Sequence, residues 1–234
     1  MRRIARELNA LPEYLHLATQ QAPLRALPDG DGHTVIVVPG LLASNGSTVL
    51  LRRFLRSKGY DARGWRLGRN RGSITQFDAF IDEVRSAASS SPVSLVGWSL
   101  GGIASRWAAH NEPDAVRQII TLGSPFRRDP REMAIFPLYQ AVGGVRREDF
   151  TDERLSAVAA TPAMPTTSIV SVDDAIAPPE SGHQDPRPIS ETIEVTGSHS
   201  GLARNPAVWR IVADRLAQPT DRWAPYDAAS LTTR

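Results

Sequence analysis

Pro92-Val93-Ser94-Leu95-Val96-Gly97-Trp98-Ser99-Leu100-Gly101-Gly102 is the stretch that decides the fold. Pro92 to Val96 is short, apolar and β-branched, which predicts a strand. Ile103 to His110 predicts a helix. Between them, Gly-x-Ser-x-Gly places Ser99 on a sharp strand-to-helix turn. Such a turn forces the serine into strained backbone angles, so the residues two before and two after it must be small. The strain lifts the hydroxyl clear of the sheet edge, and the N-terminus of the following helix faces any negative charge that develops there.

Working outward, apolar runs and helical periods alternate. Thr34-Val35-Ile36-Val37-Val38 reads as a strand buried on both faces. Ser47 to Lys58 reads as a helix stopped by Gly59. Tyr60 to Trp65 predicts a second strand, and Ile74, Phe77, Ile81 and Val84 set a helix over 74–88. Beyond the Ser99 turn come strands at Val116–Leu122, Thr167–Val172 and Ile189–Thr196. A helix follows at Pro206–Ala217, with proline suited to its first turn. The expected fold class is α/β, a mostly parallel sheet with helices on both faces. Residues 124–165 interrupt the rhythm and predict one helix, Asp152–Ala160. They read as a short cap-like insert above the C-terminal strand ends, where such folds bind ligands. Residues 1–33 form a separate segment. Ile4, Leu8, Leu11 and Leu15 recur there at helical spacing, and its apolar face is expected to pack on the 34–218 domain. Residues 219–234 read as a tail.

At 234 residues the chain can bury a full α/β core. It has no cysteine, which excludes disulfides, thiolate metal sites and a cysteine nucleophile. A net charge of +2 gives no nucleic-acid footprint. Met1 to Glu7 begins basic but lacks the roughly 7–15-residue apolar core of a signal peptide. No apolar run approaches the ~20 residues of a membrane helix. The expectation is a cytoplasmic protein without stable membrane insertion. Its oligomeric state is not legible.

A reactive serine needs a base, and the base needs an orienting acid. His110, His183 and His199 follow Ser99. His110 is about 16 Å along the helix that follows Ser99, out of reach. His183 sits in an inter-strand loop. His199 lies just past a strand end, in Gly197-Ser198-His199-Ser200-Gly201, and is favoured. Asp173 and Asp174 both follow a strand, where the acid belongs. Asp174-Ala175-Ile176-Ala177-Pro178 has the better register, and the neighbouring aspartate is left as a turn residue. Two backbone N–H groups are needed for an oxyanion. Leu100 follows the nucleophile, and Leu41 follows the Gly40 turn after the first strand. Leu42 and Trp98 are candidate walls of an acyl pocket. No metal or cofactor is required. Trp65-Arg66-Leu67-Gly68-Arg69-Asn70 reads as a loop packing beneath the site.

Over roughly residues 34–217 the chain resembles the α/β-hydrolase family, in particular its small bacterial esterase and lipase-like members. The resemblance rests on Pro39-Gly40-Leu41, Gly97-Trp98-Ser99-Leu100-Gly101, Thr121-Leu122-Gly123-Ser124-Pro125, Asp174 to Pro178 and Gly197-Ser198-His199. It implies a Ser-His-Asp triad and hydrolysis of carboxylic esters, with a small-molecule ester of short to medium acyl chain as partner. Two positions depart from the common lipase pattern: Pro39 precedes Gly40 where histidine is frequent, and Phe126 follows Gly-Ser-Pro where histidine is frequent. Acyl transfer or thioester hydrolysis on the same triad is the alternative chemistry. A non-catalytic hydrolase-like binding protein is the alternative class.

Overall fold

Thr34–Val38 forms β1, and its side chains divide between two cores. Val35 and Val37 face one side, while Ile36 and Val38 face the other, as a strand's period of two requires. All four are essentially inaccessible, a burial worth about 1.5–3 kcal/mol for each such side chain. This two-sided burial is why the run is apolar without alternation. The computed structural model describes residues 20–219 and 222–227. The helix predicted around Ile4 to Leu15 lies outside the described residues.

The elements follow in order: α1 (Gln21–Arg25), β1, α2 (Val49–Ser57), β2 (Asp61–Gly64), α3 (Ile74–Ala87), β3 (Val93–Trp98), α4 (Leu100–Asn111), β4 (Val116–Leu122), α5 (Phe136–Gly143), α6 (Asp152–Ala159), β5 (Thr166–Ser171), β6 (Ser190–Val195) and α7 (Pro206–Leu216). The strands make one 6-stranded sheet in the order β2-β1-β3-β4-β5-β6, and every pairing is parallel. α1, α2 and α7 cover one face through residues such as Leu24, Leu51 and Val212. α3 and α4 cover the other through Phe77, Phe80, Ala104 and Ala108. The chain runs from β1 outward to β2, then crosses back to β3 on the other side of β1. The C-terminal ends of β1 and β3 therefore lead in opposite directions, and a crevice opens between the loops that leave them.

Between β4 and β5 the insert holds two helices where the sequence predicts one. α6 matches the predicted helix. α5 hides behind loop-like residues: Pro137 sits in its first turn, where no donor is needed, and Gly144 ends it at φ 64°. Phe136, Tyr139 and Phe150 meet edge to face and, with Val145, form a small core of their own against Leu41 and Leu100. Arg106 of α4 fastens the insert to the sheet. Its guanidinium donates to the carbonyls of Val158 (2.6 Å), Ala159 (3.1 Å) and Ala160 (2.7 Å), at the C-terminal end of α6. It also lies 3.7 Å over the Phe126 ring. Orphan carbonyls at a helix end and its partial negative charge both favour a cation there.

Candidate active site

Ser99 sits between β3 and α4 with φ 55° and ψ −122°. It is one of two non-glycine residues at positive φ among the described residues; the other is Leu42. Its N–H donates to the Leu122 carbonyl at 2.8 Å, which pins the turn to β4. The flanking glycines are steric requirements. A Cβ on Gly97 would lie 2.4 Å from the Gly101 carbonyl oxygen, and one on Gly101 would lie 2.3 Å from the Val38 carbonyl oxygen.

Ser99 Oγ lies 3.0 Å from His199 Nε2, across 100 residues of chain. His199 Nδ1 lies 2.6 Å from Asp174 Oδ2. Asp174 has no exposed surface, and His199 is 4% exposed. The other Asp174 oxygen accepts from the N–H groups of Ile176 (2.8 Å) and Ala177 (2.7 Å). These two donors fix the carboxylate plane. Asp173 is turned elsewhere: its Oδ2 accepts from the Gly197 N–H at 3.3 Å, joining the acid loop to the His199 loop. The indole N–H of Trp98 donates to the His199 carbonyl at 3.1 Å. A serine, imidazole and carboxylate in this order can pass a proton from hydroxyl to ring and steady the charge that results.

The loop after β1 lies against the serine. A Cβ on Gly40 would stand 3.2 Å from the Ser99 Cβ, so glycine lets the main chain approach. Among the described residues, no acceptor takes the N–H of Leu41 or of Leu100. Leu100 N–H is an open donor because it begins α4. Leu42 N–H donates to the Asn70 carbonyl at 2.7 Å, and Asn70 N–H donates to the Ala43 carbonyl at 2.8 Å. The Trp65–Asn70 loop thus braces the Gly40–Ala43 loop from beneath. Asn70 is its keystone and is wholly buried. The sequence places this loop beneath the site and gives no separate role to Asn70. A polar residue between Arg69 and Arg71 reads as surface.

A cavity with an empty volume near 530 Å³ opens at Ser99, bounded by Leu41, Leu100, Ile103, Tyr139 and Ile176 among others. Leu42 and Trp98, candidates for its wall, are not on it. Leu42 is half-buried, at the positive-φ bend bonded to Asn70. Trp98 runs back beneath His199, its ring 6.1 Å from the imidazole. His183 faces Glu194 at 3.6 Å, and the imidazole at Ser99 is that of His199. His110 stacks on Trp107 near the end of α4.

A second carboxylate–imidazole–hydroxyl series lies at the opposite end of the sheet. His33 Nε2 is 2.8 Å from Ser94 Oγ, and His33 Nδ1 contacts Asp31, which also pairs with Arg117 at 2.7 Å. Ser94 has no exposed surface. Burial lowers the His33 pKa from its usual 6.5, outweighing the hydrogen bond that the ring donates to Asp31, which raises it. Among the described residues, no group of three or more His, Asp or Glu is placed to hold a metal. No described helix is long and apolar enough to cross a membrane.

The alpha/beta hydrolase fold family model matches residues 31–180. Among solved structures, a monoacylglycerol lipase from Paleococcus ferrophilus is similar, with TM-score 0.58 and 14% identity, covering 82% of this chain and 96% of that one. A structure from the work on the two metagenome-derived lipolytic enzymes LipS and LipT gives TM-score 0.57 and 15% identity, over 81% of this chain and 93% of that one. A deformylase of N-formylmaleamic acid from Pseudomonas putida S16 gives TM-score 0.51 and 16% identity, over 80% of this chain and 92% of that one. At such identities the likeness is one of fold, and it spans proteins named for different reactions.

Proposed function

Because this chain belongs to the alpha/beta hydrolase fold family, we propose that it is a serine hydrolase that cleaves carboxylic esters of short to medium acyl chain through an acyl-enzyme. The observation that carries this reading is the Ser99–His199–Asp174 hydrogen-bonded series, with the serine held at positive φ beside an apolar cavity. Residues 34–218 act as the hydrolase domain, with 124–165 as its cap.

Ser99 Oγ attacks the ester carbonyl carbon while His199 Nε2 takes the hydroxyl proton. The carbonyl oxygen becomes an anion and is met by the N–H groups of Leu41 and Leu100, which have no competing acceptor among the described residues. On collapse of the tetrahedral species the C–O bond to the alcohol breaks, and His199 gives its proton to the leaving oxygen. Water then attacks the acyl carbon, losing a proton to His199, which returns it to Ser99. Asp174 keeps Nδ1 protonated, so that Nε2 is the free base, and balances the imidazolium. Its two backbone donors hold it in register throughout.

Hydrolysis of p-nitrophenyl butyrate by the wild type and Ser99→Ala tests this directly. Turnover should fall by about 10³-fold or more in the variant with an unchanged melting temperature. Equal turnover in the two proteins would overturn the mechanism. An aryl phosphonate that labels the wild type at a residue other than Ser99 would do so as well.

A further inference from the structure

The cavity at Ser99 adjoins a second one with an empty volume near 640 Å³, beneath the cap. The two share Leu100, Ile103, Pro125, Pro130 and Tyr139 as wall residues. Leu100, Ile103 and Trp107 stand at i, i+3 and i+7, one face of α4. Leu100 and Ile103 line both cavities, and Trp107 lines the second alone. The cap closes the second cavity from above with Phe150, Leu155 and Val158. Charged side chains on either wall, Arg128, Asp149 and Arg154, all belong to the second cavity, and none borders the first.

We propose that the acyl chain of the substrate runs from Ser99 past Ile103 into this second cavity, so that the protein selects linear acyl groups of medium length. The inference rests on the proposed ester hydrolysis and gives its substrate class. The distance from Leu100 to Trp107 along α4 is about 10 Å. At ordinary carbon–carbon bond lengths that accommodates an extended chain of roughly eight carbons. Within it each methylene moved from water to an apolar wall improves binding by a factor of about four. Beyond it a longer chain meets charged groups or leaves for water and gains nothing further. Ile103, at the junction, controls entry to the second cavity, and Trp107 closes the far stretch and sets the usable length.

The test is kcat/KM for p-nitrophenyl esters from C2 to C16, together with binding of octanoate and butyrate to Ser99→Ala by calorimetry. The wild type should rise at least about tenfold from C4 to C8 and fall by C16, given the methylene increment. Ile103→Trp should cut the C8-to-C4 ratio about tenfold, and Trp107→Ala should move the maximum to longer chains. Should Ile103→Trp fail to fold, Leu155→Trp blocks the same space from the cap side. A C8-to-C4 ratio that neither blocking variant changes overturns the channel, as does equal binding of the two carboxylates. Preferential octanoate binding without ester turnover in the wild type would overturn the esterase reading and leave the channel standing.

Discussion

The side-chain amide of Asn70 donates a hydrogen bond of 2.7 Å to the Pro39 carbonyl, 31 residues away in the chain. Its amide oxygen accepts from the Gly72 N–H at 3.0 Å. With its own N–H and carbonyl bonded to Ala43 and Leu42, Asn70 holds the loop on both sides of Leu41. A preorganised donor works because it need not reorient when charge develops. Asn70→Ala should therefore lower kcat by about 10–10²-fold, less than loss of an oxyanion donor itself, with KM changed less than about threefold. Steady-state kinetics on one soluble ester decides this. A rise in KM with constant kcat would assign Asn70 to substrate binding instead.

Asp174→Asn separates the carboxylate's charge from its position. The asparagine oxygen can still accept from Ile176 and Ala177, so the loop should keep its shape. Its NH2 then faces His199 Nδ1 and forces the ring proton onto Nε2, where it cannot serve as base. Turnover should fall by about 10³–10⁴-fold with a melting temperature close to the wild type's. Retention of more than a tenth of the activity would point to another acid.

Removing the Arg106 guanidinium should loosen the cap before the sheet. Arg106→Met leaves the carbonyls of Val158, Ala159 and Ala160 without their donor. Unpaired buried acceptors and the lost contact with Phe126 together should cost about 3 kcal/mol. Hydrogen exchange should quicken in α6 while β3 keeps its protection. Uniform quickening across the molecule would show that the cap and the sheet open as one unit.

Acid should weaken the fold through His33 in a defined window. Its folded pKa lies below 6.5 because burial disfavours the imidazolium. Between those two values the unfolded chain binds a proton that the folded chain does not, so stability declines as pH falls from about 6.5. Asp31 acts lower. Burial raises its carboxyl, but hydrogen bonds from His33 and Arg117 outweigh that and hold it well below the ordinary range. Its contribution is present above about pH 4 and is lost on further acidification. Melting curves from pH 7 to 5 should slope less in His33→Gln than in the wild type. Parallel curves would place the acid sensitivity elsewhere.

The sheet and the Ser99 turn were legible because each was written in local terms. β1 is an unbroken apolar run from Val35 to Val38, and Gly97 and Gly101 stand where main-chain atoms leave no room for a Cβ. Between Asp173 and Asp174 the register favours Asp174, whose Oδ2 lies 2.6 Å from His199 Nδ1, whereas Asp173 accepts from Gly197, a long-range difference that two adjacent aspartates do not display in sequence. The residues that line the cavity were not legible in the same way. Trp98 is large and next to the serine, which suggests a wall, but side chains alternate around a turn and its ring goes under His199. α5 is hidden in the sequence because proline and glycine at its ends look the same whether they bound a helix or fill a loop. Asn70 braces the loop after β1 through Pro39, Leu42 and Ala43, a long-range relationship that no local period records.

Asp31, His33 and Ser94 present the same three residue types in the same order as the Ser99 series, at the other end of the strands. A search on side-chain atoms alone would return both sets. Ser94 lies within β3 with its surface fully covered, whereas Ser99 is bent to φ 55° at the edge of an open cavity. The molecule thus contains its own control for nucleophile reactivity. A bulky electrophile can approach one of the two hydroxyls and is walled off from the other, so selective labelling of Ser99 would measure access and backbone geometry with the proton-relay chemistry held in common.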